Sequence, residues 1–366
     1  MMGVVTARRH VRERLSEHVI RVCAQAQDPL RLLERVAVLV RAEIPYAVAG
    51  WLLVDPETML VNGVHAESVT REQHLALIEC ELTEDDVNKF FDLASRDVPA
   101  GALSAATGGD LSRSVRWRRI YEPCGYGDEL RAVFATGSSA WGQACLTRLA
   151  SDPFFSVTEV KLLAGLCPYI GHGIRTSLLL SGVDSGPVGA GSPAFVVLAD
   201  DGSVESISAE AREWLGPIDD EGLESTVVLH EVAQQSRVLA RNGAGRIACA
   251  RTRTRGGDWL VVRGARLEVG GSGDGRTALV LDPARPSDIA PVLMRLHQLT
   301  DREREVTRML LTGMPVHTIA EKLWITPETL RGHIKAVFAK LGVNSRPQLA
   351  ALLSHDPRVS SSSSPG

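Results

Sequence analysis

The feature that most constrains this chain is the stretch 299–353, where signals that start and stop helices recur at short spacing. Thr300 and Thr326 each precede an apolar, helix-periodic run and have the side chain of an N-cap. Gly313 and Gly342 follow such runs and are typical of a helix end. The stretch therefore predicts four short helices, of which the second and third are joined by a tight turn, as in a helix-turn-helix.

The predicted third helix, residues 327–341, has two distinct faces. Its apolar stripe is formed by Leu330, Ile334, Val337, Phe338 and Leu341. Arg331 and Lys335 lie four residues apart on the opposite face, beside Gly332. Two cations next to a glycine favour insertion into a major groove, where arginine bonds guanine O6 and N7. A merely solvated helix face is the alternative interpretation of the same residues.

The same stretch resembles the LuxR-type helix-turn-helix of bacterial transcription regulators. The matching residues are LTxREREV from Leu299, Gly313, Ile319-Ala320, Leu323, Ile325-Thr326, Thr329, His333, Lys340 to Val343, and Ser345-Arg346. The resemblance implies that helix 327–341 reads double-stranded DNA, with Arg331, Gly332 and Lys335 facing the bases. It also implies contacts to the DNA backbone from Thr326, Thr329, His333, Lys340 and Arg346.

Two further points follow from the resemblance. The fourth helix, 346–353, is the usual dimer contact, so we expect a homodimer. Val316 and His317 stand where the family commonly has a polar residue, often lysine. The resemblance therefore does not imply phosphate anchoring by the second helix.

Charge is distributed unevenly along the chain. Residues 299–355 hold eight Lys/Arg against five Asp/Glu, a net +3, whereas residues 1–298 hold 31 against 38, a net −7. A basic end on an acidic body is what a small nucleic-acid reader attached to a non-binding module would show.

The remaining chain divides at two composition shifts. Residues 181–192, SGVDSGPVGAGS, form a predicted linker, and residues 282–287, DPARPS, a second boundary. The predicted domains are residues 15–181, 193–283 and 295–355, followed by a disordered tail at 356–366.

Periodicity predicts helices and strands in both body domains. In the first we expect helices at 15–26, 28–40 and 156–180, a strand at 46–54, and a hairpin of 131–136 with 140–147. In the second we expect strands at 194–199, 203–207, 245–254, 259–266 and 277–281, and helices at 209–215 and 225–240.

The body resembles, less specifically, the GAF-like and PAS-like halves of actinobacterial LuxR-type regulators. The segments that carry this resemblance are GYGDELRAVF, WGQACLTR and PFFSVTEVKLLAGLCPYIGHGIR for the GAF-like half, and FVVLADDGSVESISAEAREWL, GDWLVVRGARL and TALVLDPARP for the PAS-like half. The fold class expected is α+β, with two antiparallel-sheet sensor domains followed by an all-α four-helix domain.

Composition places the chain among globular cytoplasmic proteins. The hydrophobic fraction is 44%, no apolar run is long enough to span a membrane, and the first residues do not read as a signal peptide. Six scattered cysteines without a CxxC motif fit a reduced compartment. We therefore expect a cytoplasmic protein with no membrane partner.

No residue pattern indicates a cofactor, a metal site or a catalytic site. His230 and Gln234 fall one residue short of a zinc HExxH motif, since glutamine cannot replace the second histidine. Trp51, Trp141 and Cys145 are candidates to line a ligand pocket in the GAF-like part, with ordinary core positions as the favoured alternative.

These observations predict a DNA-binding transcription regulator and not an enzyme. In it, an effector or partner biases the body, and the C-terminal unit binds a palindromic operator as a dimer. A signalling adaptor, whose helical unit binds protein, is the alternative.

Overall fold

The computed structural model describes residues 2–25, 28–182, 192–216, 218, 226–243, 247–267 and 275–354. The chain forms two compact units, Met1–Asp282 and Pro283–Gly366. Most of the predicted linker 181–192 and the predicted tail 356–366 lie outside the described residues. The division of the first unit into domains 15–181 and 193–283 stays a prediction.

The first unit alternates helices with two groups of strands. Its first half contains α1 (Met2–Cys23), α2 (Pro29–Glu43), β1 (Val48–Val54), β2 (Val61–Glu67), α3 (Arg71–Thr83), α4 (Phe90–Ala94), β3 (Ala100–Ala102), α5 (Leu103–Thr107), β4 (Tyr126–Thr136), β5 (Ser139–Leu149) and α6 (Val157–Gly182). Its second half contains β6 (Ala194–Leu198), β7 (Val204–Ile207), α7 (Ala209–Leu215), α8 (Val227–Arg241), β8 (Ala248–Arg253), β9 (Trp259–Leu267) and β10 (Arg276–Pro283).

The two halves form sheets of the same strand order. Sheet A runs β2-β1-β5-β4-β3 and sheet B runs β7-β6-β10-β9-β8. The neighbouring strands whose registers are described pair antiparallel. With the helical second unit, this confirms the predicted α+β class with two antiparallel sheets.

Capping and turn signals in the sequence correctly predicted where several helices and one turn lie. Asp28 caps α2 through its carboxylate, and Ser156 with Glu159 forms the predicted capping box before α6. The turn between β6 and β7 contains Gly202 at φ 81°, as the Asp-Asp-Gly signal predicts. The sequence analysis missed β2 and β3, whose apolar positions are too few or too irregular to produce a clear period.

The two sheets are joined by a buried carboxylate. Asp55, in the loop between β1 and β2, is fully buried, and its Oδ2 accepts bonds of 2.9 Å from both the backbone N–H and the guanidinium of Arg251 on β8. Asn62 on β2 donates to the Arg251 carbonyl at 2.7 Å. Leu60 also packs into the core of sheet B, and Val227 into the core of sheet A. Shared polar and apolar contacts therefore make residues 1–282 one compact unit.

We expect Asp55→Ala to destabilise the first unit by about 3–5 kcal/mol, because it leaves a largely buried arginine without its carboxylate. Urea unfolding of the full chain measures the change. The matched control is Asp282→Ala, which removes an aspartate–arginine pair of 3.1 Å whose side chains are 32% and 34% exposed. That control should change stability by about 0–1 kcal/mol. Equal effects of the two variants would contradict the role given to Asp55.

The second unit is entirely helical in its described part. Its helices are α9 (Pro286–Leu296), α10 (Asp301–Leu311), α11 (Val316–Lys322), α12 (Pro327–Leu341) and α13 (Arg346–Ser354). The last four are the predicted helices. The sequence analysis missed α9, because it took residues 282–287, DPARPS, as a domain boundary. Pro286 in fact lies in the first turn, where a missing N–H is tolerated.

Candidate nucleic-acid interface

The apolar face of α12 fixes the orientation of this helix. Leu330, Val337 and Leu341 are buried in one cluster with Val306 and Leu310 of α10. Because these positions lie along one stripe of the helix, the residues between them must face away from the core. The predicted stripe and the outward face of α12 both follow from this packing.

The turn before α12 sets where the helix begins. Trp324 adopts a left-handed conformation, with φ 55°, and its side chain is 94% exposed. Two residues later, the Thr326 hydroxyl accepts a hydrogen bond of 3.1 Å from the N–H of Thr329, so it caps the helix as predicted. The N-terminal turns of α12 are thus well defined and lie at the surface.

The three predicted base-reading residues share the exposed face of α12. Arg331, Gly332 and Lys335 are all exposed. The Arg331 guanidinium lies 3.0 Å from Glu328 in a pair whose side chains are 68% and 86% exposed. Such an exposed pair is worth about 0–1 kcal/mol, so Arg331 can exchange it for another acceptor. Arg331 and Lys335 are therefore accessible on the outer face of α12.

Gly332 is not required by contacts inside the domain. A Cβ built at this position meets no atom within 4 Å, and the backbone is ordinary helix. Glycine in a helix interior is less favourable than alanine by about 1 kcal/mol. The residue therefore lowers helix stability without any packing reason in the described part of the domain.

The predicted backbone-contact residues divide into two groups. Thr326 and Thr329 are exposed at the start of α12, and His333 is half-buried one turn further on. Lys340 instead donates 2.6 Å to the Glu303 carboxylate and 3.1 Å to the Gln298 carbonyl. Its ammonium already contributes to holding α12 against α10.

Arg346 also bonds within the domain. Its Nε donates to the Leu310 carbonyl and its guanidinium to the Met314 carbonyl, each at 3.0 Å. These carbonyls lie at and after the end of α10, where the regular i→i+4 bonds of the helix stop, and the Leu310 carbonyl also accepts a bond of 3.1 Å from the Gly313 N–H. A cation at a helix C-terminus also complements the helix dipole. The arginine therefore stabilises the link between α10 and α11.

We expect Arg346→Ala to destabilise the C-terminal unit by about 1–3 kcal/mol, because it removes the guanidinium hydrogen bonds to the partly enclosed carbonyls of Leu310 and Met314. Chemical denaturation followed by circular dichroism measures this, with the exposed Arg308→Ala as control. Unchanged stability together with a weaker salt dependence of DNA binding would contradict this role. That result would make Arg346 a phosphate contact instead.

Helix α13, the fourth of the predicted helices, has one buried side and one exposed side. Leu349 and Leu353 are fully buried in the same cluster as Ala290 and Met294 of α9. Leu352 is 40% exposed on the outer side. The inner side of α13 is thus covered by a core to which α9 contributes, and its outer side lies at the surface.

Helix α11 has Val316 and His317 at positions where the LuxR-type family commonly has a polar residue, often lysine. Val316 is 38% exposed, and His317 is also exposed. Val316 borders an open groove of about 820 Å³ that Arg331 and Lys335 also line. The groove thus runs along the cationic flank of α12.

The three candidate pocket residues do not come together. Cys145 on β5 pairs with Gly50 in the register of β1, and both line a cavity of about 420 Å³ in the first unit. Trp51 follows Gly50 and so points to the opposite face, where its ring stacks on Phe134 with centroids 5.9 Å apart. Trp141 is also fully buried and is not among the lining residues. Both tryptophans therefore occupy core positions, the interpretation that the sequence analysis favoured over a role in lining a pocket.

The cavity lining includes ionisable side chains that the sequence analysis did not assign to a pocket. They include Arg131 of β4, His74 of α3 and Glu231 of α8. Burial raises the pKa of Glu231 to about 8, and burial lowers the pKa of His74 to about 3. The pKa of the neighbouring Glu129 falls to about 2, because Arg116 and Arg131 outweigh the effect of its burial. The signal in the sequence was the pair His230-Glu231 within the apolar first turns of α8, which the sequence analysis considered only as part of a metal motif.

Two kinds of feature, a metal-binding cluster and a membrane-spanning helix, are not found among the described residues. No group of three or more His, Cys, Asp or Glu side chains among them is placed to hold a metal ion. None of the helices found there is both long and apolar enough to cross a membrane.

The arrangement of α10 to α13 is that of a helix-turn-helix domain, and comparison with known proteins identifies its type. Residues 297–353 match the family model for bacterial regulatory proteins of the luxR family. The C-terminal segment is therefore a LuxR-type helix-turn-helix domain, which confirms the resemblance found in the sequence.

Similar proteins match in this segment. The nitrate/nitrite response regulator protein NarL of Escherichia coli is 36% identical over 64 residues, which are 18% of this chain and 29% of NarL. A nitrate/nitrite response regulator homologue of Haemophilus influenzae is 45% identical over 51 residues, which are 14% of this chain and 24% of that protein. The chain thus spans less than a third of the length of these relatives, and 6% of an HTH-type regulator of Mycobacterium bovis.

Solved structures add only distant similarities. SdiA in complex with octanoyl-rac-glycerol has 10% identity and a TM-score of 0.35, over 93% of this chain and 94% of SdiA. A GAF domain from an Acinetobacter phosphotransferase has 11% identity and a TM-score of 0.29, over 47% of this chain and 95% of that domain. The GAF-like and PAS-like assignments of the body stay predictions.

Proposed function

We propose that the protein is a DNA-binding transcription regulator in which α12 enters the major groove. The observation that carries this proposal is the exposed face of α12, where Arg331, Gly332 and Lys335 stand together on a LuxR-type domain. Arg331 and Lys335 contact base edges, and Thr326, Thr329 and His333 lie near the phosphates. Lys340 and Arg346 act first through their contacts within the domain.

The regulator binds as a homodimer through the outer side of α13. Two copies of α12 then dock in successive major grooves, about 34–36 Å apart, on a palindromic operator. The uneven charge of the chain supports this arrangement, because the cationic groups that meet DNA belong to the C-terminal unit while the body is acidic.

The first unit is the regulatory body, comprising a GAF-like and a PAS-like domain that respond to a small-molecule effector or a partner. We assign the chain no enzymatic reaction and place it in the cytoplasm with its DNA. If the full chain and the C-terminal unit both lack sequence-selective DNA binding, the adaptor function replaces this proposal.

We expect Arg331→Ala to weaken operator binding by about 1–3 kcal/mol and to relax the preference at one base pair. Competition binding against operators substituted at single positions measures both effects. The control is Arg276→Ala, which removes an exposed arginine of the first unit and the same formal charge. Uniform weakening at every position, or no weakening, would contradict base reading by Arg331.

We expect Gly332→Ala to change stability and DNA affinity in opposite directions. The substitution should stabilise the helix by about 1 kcal/mol, because its Cβ enters open space and alanine is the better helix former. It should also weaken operator binding by about tenfold, or 1.4 kcal/mol, because the methyl group prevents close approach to the base edges. Thermal unfolding and fluorescence anisotropy measure the two effects. A stabilised variant with unchanged affinity would show that Gly332 does not face the DNA.

A further inference from the structure

The cavity of the first unit is built from both of its halves. Sheet A contributes Gly50 and Cys145, and α8, from the second half, contributes Glu231, Gln235 and Val238. An occupant of the cavity therefore contacts elements of both halves at once. Its volume of about 420 Å³ lies within the range of pockets that bind small organic molecules, about 300–1,000 Å³.

Most of the cavity wall is apolar. The aliphatic and aromatic side chains that surround it include Leu52, Val61, Val64, Leu77, Ile78 and Phe90. Such a wall favours an apolar ligand body, since removing apolar surface from water is favourable.

The basic groups of the lining already have partners. Arg131 donates from Nε to Glu129 at 2.9 Å and from Nη1 to Glu81 at 2.7 Å, and its guanidinium lies 4.5 Å from the ring centre of Phe90. Lys89 donates to a backbone carbonyl at 2.8 Å. Arg131 in particular is already paired with two carboxylates, so a ligand carboxylate would have to displace one of them.

The carboxyl group of Glu231, unlike the guanidinium of Arg131, lies near a group of its own charge. It is 6% exposed, and it is bonded to the backbone N–H of Val61. The charged side chain that acts on it is Glu81, which is acidic as well. A buried carboxylate without a countercharge is unfavourable, so the carboxyl takes up a proton instead. With a pKa of about 8, it is mostly protonated at neutral pH.

We propose that this cavity binds a small organic amine, with its apolar body between sheet A and α8 and its ammonium group paired with Glu231. The amide oxygen of Gln235 and the imidazole of His74, whose Nε2 is buried without a hydrogen-bond partner, can accept the remaining hydrogen bonds of the ammonium group. That such an amine acts as the effector rests on the proposed function, whereas its binding does not.

Pairing with an ammonium changes the protonation of Glu231. The ligand arrives already protonated, the carboxyl loses its proton to solvent, and the resulting carboxylate stays with the ammonium. Binding at pH 7 should therefore release close to one proton, and release should fall towards zero above about pH 9. A neutral or anionic ligand would not produce this signature.

The experiment is isothermal titration calorimetry of the full chain with three probes on one carbon skeleton: phenylbutylamine, phenylbutanol and phenylbutyrate. The amine should bind at least about tenfold more tightly than the other two, which corresponds to about 1.4 kcal/mol. Titration in two buffers of different ionisation enthalpy should show the proton release. An amine that binds no more tightly than the alcohol, or three probes that fail to bind at millimolar concentration, would overturn the proposal.

Two variants and a control locate the site. Glu231→Gln mimics the protonated carboxyl, so the fold should be retained while amine affinity falls to the level of the alcohol and proton release disappears. Val238→Phe fills the cavity and should weaken all three probes. Glu210→Gln, an exposed residue of α7, should change nothing. Unchanged amine affinity in Glu231→Gln would overturn the proposal. Because no DNA is present, this failure is independent of DNA reading by α12.

Discussion

Burial of the apolar stripe of α12 is the constraint on which the proposed DNA reading depends. Once Leu330, Val337 and Leu341 pack against α10, the rotation of α12 about its axis is set. Arg331, Gly332 and Lys335 must then face outward on one surface. Thr326 adds the cap that fixes where the helix starts, and the contact from Lys340 to Glu303 holds its other end. The same interactions that stabilise the domain therefore also orient its cations.

The body has a corresponding constraint in the contact between Asp55 and Arg251. It joins two sheets of the same strand order into one compact unit, and the cavity lies where α8 of the second half meets sheet A. An occupant of that cavity would change contacts in both halves. This arrangement is suited to a regulatory body, because a ligand can shift an equilibrium only through contacts that differ between its states.

Sequence patterns predicted the elements whose signals are local. The caps at Asp28, Thr300 and Thr326 predicted where three helices start to within a residue or two, and Gly342 predicted where α12 ends. Matching positions in the LuxR-type stretch identified a domain that the family model confirms at residues 297–353. Where start signals, stop signals and apolar period agree, tertiary packing does not override them.

The remaining features depend on contacts between distant residues. The pairing of Arg346 with the carbonyls at the end of α10 has no local signal, so the arginine resembled a phosphate contact. The positive φ of Trp324 is unusual for a bulky residue and is imposed by the turn between two packed helices. Glu231 of the cavity lining belongs to α8, which lies far along the chain from sheet A. Only the folded chain brings Glu231 and Arg131 to one surface.

The most direct test of the central claim is selection of duplexes from a randomised DNA library by the full chain at physiological salt. The account predicts enrichment of a two-fold symmetric sequence, with half-sites about one helical turn apart, and loss of that enrichment in the Arg331→Ala/Lys335→Ala variant. If neither the full chain nor residues 283–366 alone enriched any sequence, α12 would not be a DNA-reading helix. Enrichment that survived in the double variant would place the readout on another surface.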